Sequence, residues 1–167
     1  MIGHAVPFPF PRLEVRDLEG HRRVLPDDLP GPWDLVVLAF RRGQQAEVDR
    51  WGDLVRVAGI DDLGFWEVPV IGRAWGPARG WIDGGMARAI PDRDVRIHTL
   101  TTYTDVSAVL GALGVAGTGR VIAVLVAGGM VRWFAAGTAR QAAIAELVDC
   151  VAEIRGRGGP ERPDVPA

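Results

Sequence analysis

The feature that most constrains the fold is an apolar run followed at once by the pattern of an amphipathic helix. Residues 33–40 are almost unbroken apolar, rich in Val and Leu, and of strand length. Such a run is typical of a strand buried on both faces, as in a parallel sheet covered by helices. Beyond Phe40, apolar residues recur at helical spacing at positions 48, 51, 55 and 58, with charged residues between them. The sequence therefore predicts a buried strand, a short Arg-Arg-Gly turn and an amphipathic helix that ends near Gly59.

A second strand is expected at residues 65–71, directly after this helix. A strand, a helix and a strand in this order make a right-handed crossover, so the two strands should be parallel. Pro69 cannot donate to a strand ladder, which favours an edge strand or a strand end at this point.

The rest of the chain predicts further short elements. Residues 7–11 are Pro-rich and are expected to run extended along the surface. Residues 72–94 contain several glycines between large apolar residues, and we expect one or two short helices packed on the sheet. The remaining predictions are a hairpin with a turn at residues 19–20, a strand at 97–103, a helix capped by Asp105 and closed by Gly114, strands at 121–126 and 130–134 joined by Gly128 and Gly129, and a helix at 138–154.

The composition is that of one globular domain. The chain has 167 residues, of which 48% are apolar and 24% charged, enough for one core and too little for two. We expect a single domain over residues 1–155 and a disordered tail, rich in Gly, Pro and charge, over residues 156–167. Because the net charge is only −2, no nucleic-acid partner is expected.

Cysteine and histidine usage argues against disulfide and metal chemistry. Cys150 is the single cysteine, which excludes an intramolecular disulfide and any zinc site built on several cysteines. The three histidines have no partner at metal-ligand spacing, and no metal or other cofactor is expected. The N-terminus lacks a basic region followed by an apolar core, and no apolar stretch approaches the roughly 20 residues that span a bilayer. We therefore expect a cytoplasmic protein without membrane insertion.

Short motifs connect this order of elements to a known family. Residues 9–40 contain Pro-Phe, Leu-x-Val-x-Asp-Leu-x-Gly and Val-Leu-x-x-Asp-Leu ahead of the apolar Val-Val-Leu-Ala-Phe run. They resemble the opening of the peroxiredoxins and TlpA-type redoxins, and residues 101–115 and 120–131 resemble later units of the same proteins. The resemblance spans residues 9–154 and implies an α/β, thioredoxin-like fold: a central mixed β-sheet with helices on both faces and an N-terminal β-hairpin.

The redox residues of that family are missing at the matching positions. A TlpA-like or thioredoxin-like first cysteine would fall on Gln45 and the second on Val48. The position of the thioredoxin cis-proline, ahead of the strand at Val121, reads Gly119-Arg120. Peroxiredoxins carry an arginine that Arg120 could match, although here it has no thiolate to activate. The resemblance thus implies the scaffold without its usual redox site.

A second resemblance involves the strand-to-helix junction. Residues 40–51 read Phe-Arg-Arg-Gly-Gln-Gln-Ala-Glu-Val-Asp-Arg-Trp. This pattern resembles the mitochondrial ATP-synthase assembly-factor family, whose domain is thioredoxin-like and whose role is chaperone-like. Glu-Val-Pro-Val at residues 67–70 and Trp-Ile-Asp-Gly-Gly-Met at residues 81–86 are similar to stretches in bacterial relatives of that pattern. The resemblance implies protein handling without thiol exchange.

The same junction is the first candidate site. Arg41 and Arg42 precede a helix whose N-terminal amides are unpaired and whose dipole favours an anion. Gln44 and Gln45 can donate hydrogen bonds to a carboxylate or phosphate, and Arg120 is assigned to the same predicted corner. The simpler interpretation is that the two arginines are solvated on a surface loop.

Residues 72–94 carry a second candidate site. Trp75, Arg79, Trp81 and Asp83 could line a binding groove, because Trp and Arg are common anchors at interfaces. The alternative, which we prefer, is that the tryptophans cover one face of the sheet.

Cys150 is the one candidate thiol. It lies at the margin of the apolar face of the last predicted helix, beside Asp149. A nearby carboxylate raises the pKa of a thiol, whereas redox catalysis needs a lowered pKa. We therefore expect a quiet, half-buried cysteine.

Three functions remain open from the sequence. The leading hypothesis is a redox-inactive thioredoxin-like protein that binds a partner protein as an assembly or chaperone-like module, with no catalytic residue. The second is a redoxin-type antioxidant oxidoreductase of the peroxiredoxin (AhpC/TSA) kind, acting on peroxide or disulfide with Cys150 or a partner's thiol. The third is a small-anion binder. A protein partner is expected in the leading hypothesis, and a homodimer is also considered.

Overall fold

The centre of the fold is a mixed, eight-stranded sheet in the computed structural model, which describes residues 2–158. The spatial order of the strands is β1-β8-β7-β4-β5-β6-β2-β3, so that β1 and β3 are the edges. The strands are β1 (Ile2–Pro9), β2 (Leu13–Asp17), β3 (Arg22–Leu25), β4 (Trp33–Ala39), β5 (Leu63–Gly72), β6 (Leu100–Thr104), β7 (Ile122–Ala127) and β8 (Met130–Ala136).

Helices lie on both faces of this sheet. They are α1 (Gln45–Ala58), α2 (Arg79–Ala89), α3 (Arg93–His98), α4 (Val106–Ala112) and α5 (Gln141–Gly156), with 3₁₀ turns at Arg42–Gln44 and Arg73–Ala78. α1 and α5 pack on one face around a core that contains Trp51, Trp133 and Leu147. α4 and the β2–β3 hairpin close the other face through Val109, Leu113 and other apolar side chains.

The apolar run at residues 33–40 forms the interior strand β4, as its pattern predicts. Leu35 and Val37 face α1 and α5, Val36 and Leu38 face the other core, and all four are fully buried. β4 is parallel to β5 and antiparallel to β7. Gly59 caps the C-terminal end of α1 with a positive φ of 59°, and its N–H bonds to the Val55 carbonyl.

Two other local predictions are confirmed by backbone hydrogen bonds and φ angles. The Asp105 carboxylate caps α4 by accepting hydrogen bonds from the N–H groups of Ser107 and Ala108 at 2.9 and 3.2 Å. Gly128 and Gly129 join β7 to β8 with φ values of 59° and 76°, which residues with a side chain rarely adopt.

Of the two expectations about proline, the one for Pro69 is wrong and the one for residues 7–11 is incomplete. Residues 7–9 are extended, as predicted, but they belong to an edge strand, because residues 2–9 pair with β8. Pro7 is tolerated there because the register shifts between His4 and Phe8, where no ladder pair involves it. Pro69 lies within the interior strand β5, opposite Ala39, the last residue of β4, so that pairing with this neighbour ends at the proline.

Several element boundaries also differ from the predictions. The strand predicted at 97–103 begins only at Leu100, because Asp92 caps a short helix that includes Ile97. Instead of one or two short helices, residues 72–94 contain a 3₁₀ turn, the whole of α2 and the start of α3. α5 begins at Gln141 and continues to Gly156, into the predicted tail, whose residues 159–167 lie outside the described residues.

The described helices include no membrane span. Within residues 2–158, no helix is both long enough and apolar enough to cross a bilayer.

Candidate functional site

The turn after β4 packs against the loop that precedes β7, and we call residues 41–45 and 117–120 the corner. Gln44 is the buried residue that joins the two segments, with 4% of its surface exposed. Its Oε1 accepts hydrogen bonds from the N–H groups of Phe40 and Arg41 at 2.8 and 3.1 Å. Its Nε2 donates to the Thr118 carbonyl at 2.9 Å. The Gln44 amide therefore holds the corner together, and its two ends are engaged within the protein.

The arginines of the corner differ in how firmly they are held. Arg41 donates from Nε and from a terminal nitrogen to the Thr118 hydroxyl at 3.1 and 3.0 Å, which orients its guanidinium across the corner. Arg42 and Arg120 are exposed, and neither bonds to another residue of the described chain. The structure thus brings Arg41, Gln44 and the loop before Arg120 together. Thr118 was missed, because nothing in its local sequence indicates a contact 77 residues away.

Gln45 contacts Glu67, a buried acid that the sequence analysis did not assign to the site. Gln45 donates to Asp49 at 2.9 Å and also hydrogen-bonds Glu67. Glu67 is a buried carboxyl in the interior strand β5. Burial raises its pKa above the usual value, the negative charge of Asp49 adds to this rise, and the hydrogen bond from Gln45 opposes it. The sequence feature that could have indicated this buried acid is the position of Glu67 within an apolar strand pattern, between Trp66 and Val68.

Cys150 is more deeply buried than the half-buried thiol that the sequence predicts. Only 3% of its surface is exposed, and its Sγ lies 3.9 Å from the Arg132 carbonyl oxygen. Burial raises the pKa of the thiol to about 11, helped by the negative charge of Glu153 and opposed by Arg132. The direction agrees with the prediction, but the carboxylate responsible is Glu153 and not Asp149.

The thiol is also distant from the corner. Arg132, which Cys150 contacts, precedes Trp133 on β8, and the strand pairing places Trp133 beside Leu125 and Leu125 beside Leu35. Leu35 lies five residues before Phe40, which is about 15–20 Å along a strand. Cys150 is therefore not at the β4–α1 junction.

The second candidate site divides into two parts, and the preferred interpretation of its tryptophans is wrong. Trp75 and Trp81 have 60% and 76% of their surfaces exposed, so neither covers the sheet. They lie in segments with several glycines, 72–78 and 79–89, which supply few neighbours to bury a large ring.

The charged residues of this site face the sheet. Asp83 accepts hydrogen bonds from the Tyr103 hydroxyl at 2.8 Å and from the Thr101 hydroxyl at 3.2 Å. The Arg79 guanidinium lies 4.4 Å from the centre of the Tyr103 ring. Burial raises the pKa of Tyr103, Asp83 raises it further, and Arg79 lowers it. Arg79 and Asp83 thus attach α2 to β6, while the tryptophans remain outside.

Metal binding has no support in the described side chains. Among them, no group of three or more His, Cys, Asp and Glu residues could hold an ion.

Comparisons with known proteins reveal the fold but no sequence relative. No protein-family model matches the chain. No curated protein sequence matches it either.

Many solved structures share its architecture, among them the following three. The lipoprotein thioredoxin Etrx1 of Streptococcus pneumoniae is 14% identical, with a TM-score of 0.54, covering 83% of this chain and 98% of that one. BsSco, of the Sco family of cytochrome c oxidase assembly proteins, is 12% identical, with a TM-score of 0.56 and coverages of 88% and 94%. A yeast mitochondrial 1-Cys peroxiredoxin is 12% identical, with a TM-score of 0.54 and coverages of 90% and 78%. The predicted α/β, thioredoxin-like fold is confirmed, while the resemblance to the ATP-synthase assembly factors stays a prediction.

Proposed function

We propose that this thioredoxin-like protein is redox-inactive and binds a partner protein through the corner of residues 41–45 and 117–120. The observation that carries the proposal is the pair of amides at residues 44 and 45. The redoxin resemblance implies a reactive thiol at position 45, where this chain has Gln45, and the neighbouring buried amide of Gln44 bonds the backbone on both sides of the junction. An amide cannot form the thiolate that thiol exchange requires.

The state of Cys150 supports the same proposal. A reactive cysteine is partly exposed and has a lowered pKa. Cys150 is buried, its pKa is raised to about 11, and it lies away from the corner. The scaffold therefore offers no exposed thiol of its own within the described residues.

The exposed charge of the corner suggests the chemistry of the partner. Arg42 and Arg120 present free guanidinium groups to solvent within the described part of the chain, and Arg41 is oriented by Thr118. Guanidinium groups bind carboxylates in a bidentate manner, and the N-terminal end of α1 also favours negative charge. We expect a partner segment rich in Asp and Glu. BsSco, itself an assembly protein by name, shows that this fold occurs in proteins of that class.

Replacing Arg41 and Arg42 together by Ala should remove the partner while leaving the fold intact. Both side chains are exposed, so we expect the melting temperature to change little and the amount of co-purified partner to fall about tenfold or more. The measurement is quantitative mass spectrometry of proteins captured by tagged wild type and variant. Arg50→Ala, an exposed arginine on α1, is the matched control. An identical set of captured proteins for all three forms would contradict the proposal.

A redoxin-type oxidoreductase is the second candidate, and the structural neighbours favour it, because Etrx1 and the 1-Cys peroxiredoxin are named as redox proteins. It is tested by peroxide consumption in the presence of a thiol reductant. Activity that disappears in Cys150→Ser would establish this candidate and overturn the proposed function.

A further inference from the structure

Four arginines line one groove that the proposed function does not use. The groove has a volume of about 400 Å³ and lies between the β2–β3 hairpin and the start of α2. Its charged lining consists of Arg16, Arg22, Arg23 and Arg79 with Glu14 and Asp28. Arg23 follows Arg22 on β3, so its side chain faces the opposite side of the sheet, where its guanidinium lies over the Trp66 ring. The other three arginines outnumber the two carboxylates by one, in a chain whose net charge is −2. We call this feature the arginine groove.

The arginines are brought together against their mutual repulsion. Arg16 on β2 pairs directly with Arg22 on β3, so two like charges stand opposite each other in the sheet. Such pairs destabilise a hairpin. Arg79, the first residue of α2, joins them from another element and is held over the Tyr103 ring.

The hydrogen-bonding capacity of these arginines is not satisfied within the protein. The buried Nε atoms of Arg16 and Arg79 have no acceptor among the described residues. Among the described side chains, none of Arg16, Arg22 and Arg79 forms an ion pair within 4.0 Å, although Arg79 lies over the Tyr103 ring. Buried donors without acceptors are costly and rare in folded proteins. A bound anion would relieve the repulsion between the arginines and would accept hydrogen bonds from the unpaired donors. The groove therefore has the chemistry of an anion-binding site.

We propose that the arginine groove binds a small hydroxylated anion, with phosphate or carboxylate groups held by Arg16, Arg22 and Arg79. The volume is within the range of small-ligand pockets, and guanidinium groups match phosphate and carboxylate geometry. Glu14 and Asp28 would repel a bare anion, whereas hydroxyl groups on the ligand can donate to them. This site is separate from the corner, so it neither needs nor tests the partner-binding proposal.

Isothermal titration calorimetry at low ionic strength tests the site with three probes. Glycerol 2-phosphate has a phosphate group and hydroxyl groups, and citrate has carboxylate groups and one hydroxyl group. Glycerol is the uncharged control. We expect saturable binding of glycerol 2-phosphate or citrate and none of glycerol, and the tighter anion identifies the preferred group. Absence of saturable binding for both anions would overturn the proposal.

Charge-removing variants locate the site. Arg16→Gln and Arg79→Gln should each raise the dissociation constant about tenfold to a hundredfold, because each removes a charge-assisted donor. Arg88→Gln, an exposed arginine on the same helix α2 that does not line the groove, is the matched control and should bind as wild type does. Wild-type affinity in Arg16→Gln and Arg79→Gln would overturn the assignment.

Arg22→Gln separates a binding role from a structural one. Because Arg22 is exposed and stands opposite Arg16, its replacement should raise the ligand-free melting temperature while weakening anion binding. A structural arginine would lower the melting temperature when removed. A destabilised Arg22→Gln variant with unchanged affinity would therefore contradict the proposal.

Discussion

At the scale of single residues, the buried acids have the clearest physical consequences. Glu67 and Asp34 are both buried in the central strands, and burial raises the pKa of each carboxyl. A carboxyl with a higher pKa in the folded state than in the unfolded state holds its proton longer when folded. Folding therefore favours the protonated form, and the free energy of unfolding falls as pH rises through the interval between the two pKa values.

The substitution Glu67→Gln should remove part of this pH dependence. From near the ordinary pKa of 4.5 up to the raised pKa of the folded state, we expect the wild type to lose stability more steeply than the variant. Above that interval the two curves should run parallel. Urea denaturation from pH 4.5 to pH 8 measures the effect, with Glu47→Gln, a half-exposed residue on α1, as the control. Equal slopes for Glu67→Gln and wild type would show that the Glu67 pKa is not raised.

Cys150 should resist alkylation in the folded protein. A pKa of about 11 in place of 9.0 lowers the thiolate fraction near neutral pH about a hundredfold, and burial restricts access further. Iodoacetamide labelling at pH 7.5, followed by mass spectrometry, should be at least about a hundredfold slower in the native state than in guanidinium chloride. Native labelling at the unfolded rate would contradict the buried, protonated state of this thiol.

At the scale of elements, the corner depends on one side chain that connects two segments distant in sequence. The Gln44 amide bonds the backbone after β4 and the backbone of the loop before β7. The sequence predicts the strand, the turn and α1, since their patterns are local. It does not predict the contact with Thr118, because the periodicity of one element carries no information about its neighbour in space.

Replacing Gln44 by Ala should destabilise the protein by about 1–3 kcal/mol, because partly buried backbone groups at Phe40, Arg41 and Thr118 lose their partners. Chemical denaturation measures the change. The adjacent Arg42→Ala variant should stay within about 0.5 kcal/mol of wild type, since Arg42 is exposed. Equal stability of the two variants would show that the amide does not hold the corner.

At the scale of the whole molecule, the fold could be predicted more fully than its surface. The apolar pattern of β4 and the strand-helix-strand order predicted a buried strand parallel to the next one, and the redoxin resemblance implied a mixed sheet with helices on both faces. The structure confirms both. The strand predicted near Ile97 is instead part of α3, which Asp92 caps by accepting a hydrogen bond from the Asp94 N–H. The sequence predicts only the hairpin part of the arginine groove, since the approach of Arg79 on α2 to β2 and β3 is a contact between elements distant in the chain.

The two edges of the sheet are guarded in different ways. Edge strand β1 carries Pro7 and Pro9, which offer no N–H to a neighbouring chain, and edge strand β3 carries Arg22 and Arg23. Proline and charge at exposed edges discourage backbone pairing between molecules. Copies of this protein should therefore not join edge to edge into fibrils at high concentration.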